Sequence, residues 1–88
     1  MPKFTPKQIA ALNAINTIPA GQAFRGKDLV AAGYPGKDAA AVLQSATVFG
    51  TFVNYHPDYD FRGPILYVKS DLFDVYFPFW MERQKNYC

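Results

Sequence analysis

Few side chains in this sequence have chemistry to offer, and they fall into two groups. The first group is hydrogen-bonding and cationic: Arg25, Lys27, Lys37, Gln44, Ser45, Thr47 and Arg62. One residue every ~100° around a helix from about Lys37 to about Phe49 puts Lys37, Ala41, Gln44 and Val48 on one side, flanked by Ala40, Ser45 and Thr47. Lys37, Gln44, Ser45 and Thr47 are types that bond base edges and phosphates, and equally the types of a solvated helix face. Arg25, Lys27 and Arg62 fit phosphate clamping or ordinary surface charge. The second group is His56, Asp58 and Asp60, too few and too local for a recognised metal motif, in a stretch where turns favour Asp anyway. No nucleophile motif, phosphate loop or paired-carboxylate cleft accompanies them, so the expectation is a protein without catalytic residues, metal or cofactor. Cys88, the single cysteine and the last residue, reads as incidental.

Composition narrows the setting. Eighty-eight residues make one domain, half of them hydrophobic and 17% aromatic, enough to fold without a metal or disulfide. One thiol closes no internal bridge, and neither a signal-peptide pattern after Met1-Pro2-Lys3 nor an apolar run of ~20 residues is present. The expected location is the cytoplasm. Net charge is +2 and uneven. Residues 1–57 hold Lys3, Lys7, Arg25, Lys27 and Lys37 against Asp28 and Asp38, and sum to +3. Residues 58–88 hold four cations against five acids and sum to −1. The anion-facing part therefore lies in the first two thirds.

The elements that must position these residues are legible in turn. Thr5 caps a helix with Pro6 at its first position, Gln8 closing a capping box and Phe4 and Ile9 in staple positions; the helix runs to about Asn16. Gln22–Arg25 is short and extended, with Phe24 inward and Arg25 outward. Gly26-Lys27-Asp28 starts a second helix that Gly33 stops, and Pro35-Gly36 turn the chain into the third. The third helix, Lys37–Phe49, presents Ala39, Val42, Leu43, Ala46 and Phe49 to the core. Thr51–His56 and Pro64–Lys69 alternate as hairpin strands around a seven-residue connection, 57–63. Ser70 caps a last segment that Pro78 ends or kinks, and Asn86-Tyr87-Cys88 frays. One core is expected to hold Leu12, Ile15, Phe24, Leu29, Val42, Leu43, Phe52 and Leu66.

Helix, short strand, helix, Gly33-Tyr34-Pro35-Gly36 turn, helix and hairpin resembles a winged helix-turn-helix domain, an α+β fold with a three-helix core. The resemblance covers roughly Thr5–Lys69. It rests on Phe24-Arg25-Gly26-Lys27-Asp28-Leu29, Val42-Leu43, Phe49-Gly50-Thr51-Phe52 and Ile65-Leu66-Tyr67. It divides the chain into a winged helix domain over 1–70 and an aromatic helical tail over 71–88. Small members of this kind are similar to prokaryotic and phage regulators of transcription.

That resemblance implies a regulator binding double-stranded DNA, with the helix 37–49 in the major groove and the wing 57–63 near the backbone. Arg25, Lys27, Lys37, Gln44, Ser45, Thr47 and Arg62 would be its contacts. Ala40, Ala41 and Val48 on the same helix face, and Asp58 and Asp60 beside Arg62, support the alternative. This is a protein-binding winged helix that uses the apolar part of the third helix, the acidic aromatic wing or the tail, for example a phage protein that inhibits or redirects a host enzyme. In the tail, Leu72, Phe73, Tyr76 and Phe77 are expected to pack on the first helix. Tyr76, Phe79 and Trp80 are expected to form a homodimer interface, with Pro78 swinging the last two off the body.

Overall fold

Local signals set the first helix, α1, over Pro6–Asn16. The Thr5 hydroxyl accepts from the Gln8 N–H at 3.1 Å, and Gln8 Oε1 accepts from the Thr5 N–H at 3.0 Å, so two orphan donors are satisfied reciprocally. The structure, a computed structural model, describes residues 3–87; the expectations attached to Met1, Pro2 and Cys88 lie outside them. α1 buries Ala11, Leu12, Ala14 and Ile15.

Helix α2 spans Gly26–Ala31. Its end is a Schellman motif: Gly33, at φ 119°, donates to the Val30 carbonyl at 3.1 Å and Tyr34 donates to the Leu29 carbonyl at 2.9 Å. A side chain at Gly33 would strain this left-handed turn. Helix α3 is shorter than its sequence pattern, Ala39–Ser45 instead of 37–49. The Ser45 hydroxyl bonds back to the Val42 carbonyl at 2.6 Å, and Ala46 is already extended. Ending there turns Val48 inward, where it is buried, and its carbonyl accepts from Phe52 at 2.9 Å. A longer helix would have left Val48 in water.

Strands β1 (Val53–Tyr55) and β2 (Tyr67–Lys69) pair antiparallel with Val53 opposite Lys69 and Tyr55 opposite Tyr67. They are shorter than the expected 51–56 and 64–69. Phe24 adds a one-residue bridge on the other side of Tyr67, with hydrogen bonds of 2.9 and 2.7 Å, and stacks on its ring at 5.6 Å. Arg25 points outward as expected.

Helix α4 runs unbroken over Asp71–Gln84, straight through Pro78, and a 3-10 turn over Lys85–Tyr87 follows where fraying was expected. Pro78 removes one backbone donor. Packing outweighs it: Phe73 is fully buried, Phe77 stacks on it at 5.6 Å, and Trp80 packs edge-on against Phe52 at 4.9 Å and Phe73 at 5.4 Å. Among the described residues the result is a small α+β fold of four α-helices and a two-stranded antiparallel pair. Its core joins all four helices to the strands. Leu12, Ile15, Phe24, Leu29 and Leu43 lie in it as expected, whereas Val42 and Phe52 are half-buried at its margin and Leu66 is half-buried outside it, its neighbour Ile65 packing there instead.

One buried cation was not anticipated. Lys69, at the end of β2, is 2% exposed. Its ammonium donates to the Ile15 carbonyl at 3.2 Å, to the Asn16 carbonyl at 3.5 Å and to Asp74 at 2.6 Å, and lies over the Phe73 ring. It therefore satisfies the negative C-terminal end of α1 and ties it to α4.

Candidate nucleic-acid interface

The turn between α2 and α3 decides where the cations go. Gly33 reverses the chain, and Tyr34 is buried with its hydroxyl donating to Asp38 Oδ1 at 2.6 Å. Asp38 Oδ2 accepts from Lys7 at 3.0 Å. The Tyr34 bond and the Lys7 ammonium hold the Asp38 carboxyl below its ordinary range, and the same bond, with burial, pushes the Tyr34 hydroxyl up to about 12. Gly36 lies against this pair, so close that a Cβ there would sit 2.6 Å from Asp38 Oδ1. Asp38 caps α3 through its backbone alone, because both carboxylate oxygens are engaged.

This turn folds Lys37 back beside Lys27. Gly26, Lys27, Val30, Lys37, Ala39 and Ala40 line an open cleft of about 350 Å³ between the starts of α2 and α3. Gly26, Ala39 and Ala40 bring little side-chain bulk to this lining, and Lys27, Lys37 and Val30 bring the larger side chains. Arg25 stands one residue outside. Its backbone N–H donates to Asp28 Oδ2 at 2.8 Å, which closes the start of α2 and leaves the guanidinium free. Among the described residues, the charged groups of Arg25, Lys27 and Lys37 have no hydrogen-bond or ion-pair partner, whereas Lys7, Lys69 and Lys85 are all paired.

The other expected contacts are placed differently. Lys37 precedes α3 and is not on its outward face. Gln44 is exposed but donates its amide to the Tyr67 hydroxyl at 2.9 Å, which locks the side chain over β2; burial pushes the Tyr67 hydroxyl up. Ser45 gives its proton to Val42 and accepts from Gln8 at 3.1 Å. Thr47 is exposed in the turn after α3. Arg62 is exposed on the hairpin connection, where its backbone N–H donates to Asp60 at 3.0 Å and its guanidinium has no partner among the described residues. No hydrogen bond or ion pair joins it to the α2–α3 cleft. The structure thus brings together Lys27 and Lys37, with Arg25 beside them, and separates Gln44, Ser45 and Arg62 from that group.

His56 and its acidic neighbours make turn hydrogen bonds. His56 Nδ1 accepts from the Asp58 N–H at 3.0 Å, and Asp60 accepts from Arg62. Among the described residues no three His, Cys, Asp or Glu side chains are placed to hold a metal. The connection, expected as an acidic aromatic wing, carries its aromatic residues as one packed cluster. Tyr59 and Phe61 lie 4.5 Å apart, and both meet Tyr55 within 6 Å. Phe61 adopts φ 65° and is 71% exposed, an uncommon backbone for an aromatic residue. The alternation of Tyr55, Tyr59 and Phe61 with Asp58 and Asp60 was the available signal.

The expected tail interface is split. Trp80 is 6% exposed within its own chain, held by Phe52, Phe73 and Tyr76. It is therefore a core residue of the folded chain and not an outward anchor, because the helix continues through Pro78 and carries it inward. Tyr76 and Phe79 are exposed, and so is Leu72, which was expected to pack inward. No helix among the described residues is long and apolar enough to cross a membrane. Comparison with protein-family models, with curated proteins and with solved structures finds no match to this chain.

Proposed function

We propose that the chain is a winged helix-turn-helix module that binds duplex DNA chiefly through phosphates, with little discrimination between base sequences. The observation that carries this is the α2–α3 cleft. Lys27 and Lys37 face one open depression, Arg25 stands beside it, and none of the three is neutralised by a neighbour. Of the acids beside the cleft, Asp38 is occupied by Tyr34 and Lys7, and Asp28 accepts from the Arg25 backbone N–H. Support for the fold assignment comes from the element order, the Schellman turn between α2 and α3, and Phe24 bridging to the hairpin. Weak base reading follows from the engaged donors of Gln44 and Ser45 and from the small apolar Ala40 and Ala41 beside them. Arg62 would add a phosphate contact from the wing.

Four phosphate contacts, from Arg25, Lys27, Lys37 and Arg62, give a slope of about −3.6 for log K against log salt, which is roughly a 150-fold loss of affinity between 50 and 200 mM salt. Fluorescence anisotropy with unrelated 20-base-pair duplexes should return that slope and similar affinities for each. Lys27→Ala and Lys37→Ala should each lower the slope by about 0.9. Absence of duplex binding at 20 mM salt overturns the proposal.

The hairpin connection favours a second reading, protein binding. An exposed aromatic cluster flanked by Asp58 and Asp60 repels phosphate and suits a partner with a basic, apolar surface. Under the DNA reading Phe61→Ser leaves duplex affinity unchanged; under the protein reading it removes the partner's anchor.

A further inference from the structure

Helix α4 is apolar on two sides. Its inner side is Phe73, Phe77, Trp80 and Met81, continued by Gln84, whose Oε1 accepts from the Phe4 N–H at 2.8 Å. Its outer side is Leu72, Val75, Tyr76 and Phe79, at the i, i+3, i+4, i+7 spacing of a helix-docking stripe, and these are 53, 56, 44 and 64% exposed. Among the described residues only Tyr76 has ring neighbours, Phe52 and Trp80, and all four side chains keep more than two fifths of their surface in water. At roughly 150–250 Å² for each large side chain, the stripe exposes about 400 Å² of apolar surface, the size of patch that on a monomer is commonly functional.

We propose that this stripe docks against the same stripe of a second copy, with the two α4 helices antiparallel about a two-fold axis. Charge selects the occupant and the orientation. The first turn of α4 carries Asp71 and Asp74, and the last turn carries Arg83. Asp74 is taken by Lys69, and Lys85 by Glu82, so Asp71 and Arg83 remain without ion-pair partners among the described residues. Twelve residues of helix separate them by about 18 Å, too far to meet within one chain. Antiparallel pairing brings Asp71 of each copy toward Arg83 of the other and opposes the helix dipoles; parallel pairing would set like charges side by side. Two-fold symmetry makes the one patch self-complementary. Its area decides the strength. About 400 Å² per partner is half of the ~800 Å² typical of a stable complex, so the dimer belongs to the weak, transient class. Trp80 is outside the interface, and the surface is separate from the α2–α3 cleft.

Sedimentation equilibrium from 5 to 500 μM tests this. The wild type should show a monomer–dimer equilibrium, with Trp80 emission unchanged on dilution. Phe79→Glu should raise the dissociation constant at least tenfold while circular dichroism and Trp80 emission report an intact fold. Asp71→Arg and Arg83→Asp should each weaken association, and the double variant Asp71→Arg/Arg83→Asp should regain it, because both intermolecular pairs are exchanged together. A wild type monomeric at 500 μM overturns the proposal and leaves the stripe to a different partner. A dimer indifferent to Phe79→Glu, or a double variant weaker than both single ones, overturns it as well.

Discussion

Removing the Asp74 carboxylate tests the most unusual feature of the core. Lys69 is buried, and its ammonium has three acceptors: two carbonyls at the end of α1 and Asp74. Asp74→Ala leaves the cation in place with only the carbonyls. Breaking a fully buried pair costs about 3–5 kcal/mol. The Asp74 side chain is 47% exposed, so water partly replaces it, and about 2–3 kcal/mol is the expected loss. In a domain of this size that lowers Tm by roughly 10–20 °C. Lys69→Met keeps the apolar stem and removes the charge with its hydrogen bonds, at about 1–3 kcal/mol, while the Ile15 carbonyl keeps the Ile18 N–H at 2.9 Å. The double variant Lys69→Met/Asp74→Ala should be more stable than Asp74→Ala alone, because the stranded charge has gone. Urea unfolding followed by Trp80 emission measures all three. Additive losses, with the double variant the least stable, would refute the view that the ammonium depends on Asp74.

Two further predictions concern the core and the turn. Trp80→Ala should destabilise the chain by about 3–5 kcal/mol, as truncation of a buried aromatic does. Its urea midpoint should fall at every protein concentration, and a loss seen only as dissociation of an otherwise stable chain would contradict the packing. The Tyr34–Asp38 bond predicts stability lost at both pH extremes. Asp38, held low by Tyr34 and Lys7, stabilises the fold above the ordinary carboxylate range, and this is lost as pH falls through its folded value. Tyr34, raised to about 12 from 10.0, stabilises fully below 10, and this is lost as pH rises toward 12. Tyr34→Phe should flatten both limbs, leaving the alkaline part due to Tyr67, and Gly36→Ala, which displaces the Asp38 carboxylate, should do the same. Unchanged pH profiles in both variants would rule the bond out as the source.

What was legible in the sequence was what short-range chemistry determines. Thr5, Pro6 and Gln8 announce α1 because capping lies within four residues, and Gly33 announces the end of α2 because its left-handed backbone excludes other residues. The end of α3 was not legible. A helical wheel extended to Phe49 places Val48 outward, and only the pocket that receives Val48 makes a stop at Ser45 preferable. The cations of the candidate site were named singly, but their grouping was not, since Lys27 and Lys37 meet only through the intervening turn. Gln44 looked free because its partner, Tyr67, lies 23 residues away. Pro78 looked like a stop because the cost of a missing donor is local while the packing that offsets it is tertiary.

The same distinction explains why α4 shows one particular face to solvent. Leu72, Phe73, Val75, Tyr76, Phe77, Phe79, Trp80 and Met81 surround most of the helix, so apolar content alone does not choose which side packs inward. A rotation that buried Leu72, Val75, Tyr76 and Phe79 would remove a comparable apolar area from water. What differs is polar. With the present face inward, Asp74 in the first turn meets the Lys69 ammonium and Gln84 in the last turn meets the Phe4 N–H. Any other rotation strands a buried cation at one end and a buried-edge amide donor at the other, each at more cost than the differences among apolar side chains. These two polar contacts therefore act as end stops that fix the rotation of the helix. The exposed stripe is a consequence: the surface that α4 leaves in water is set by a lysine and a glutamine on its other side.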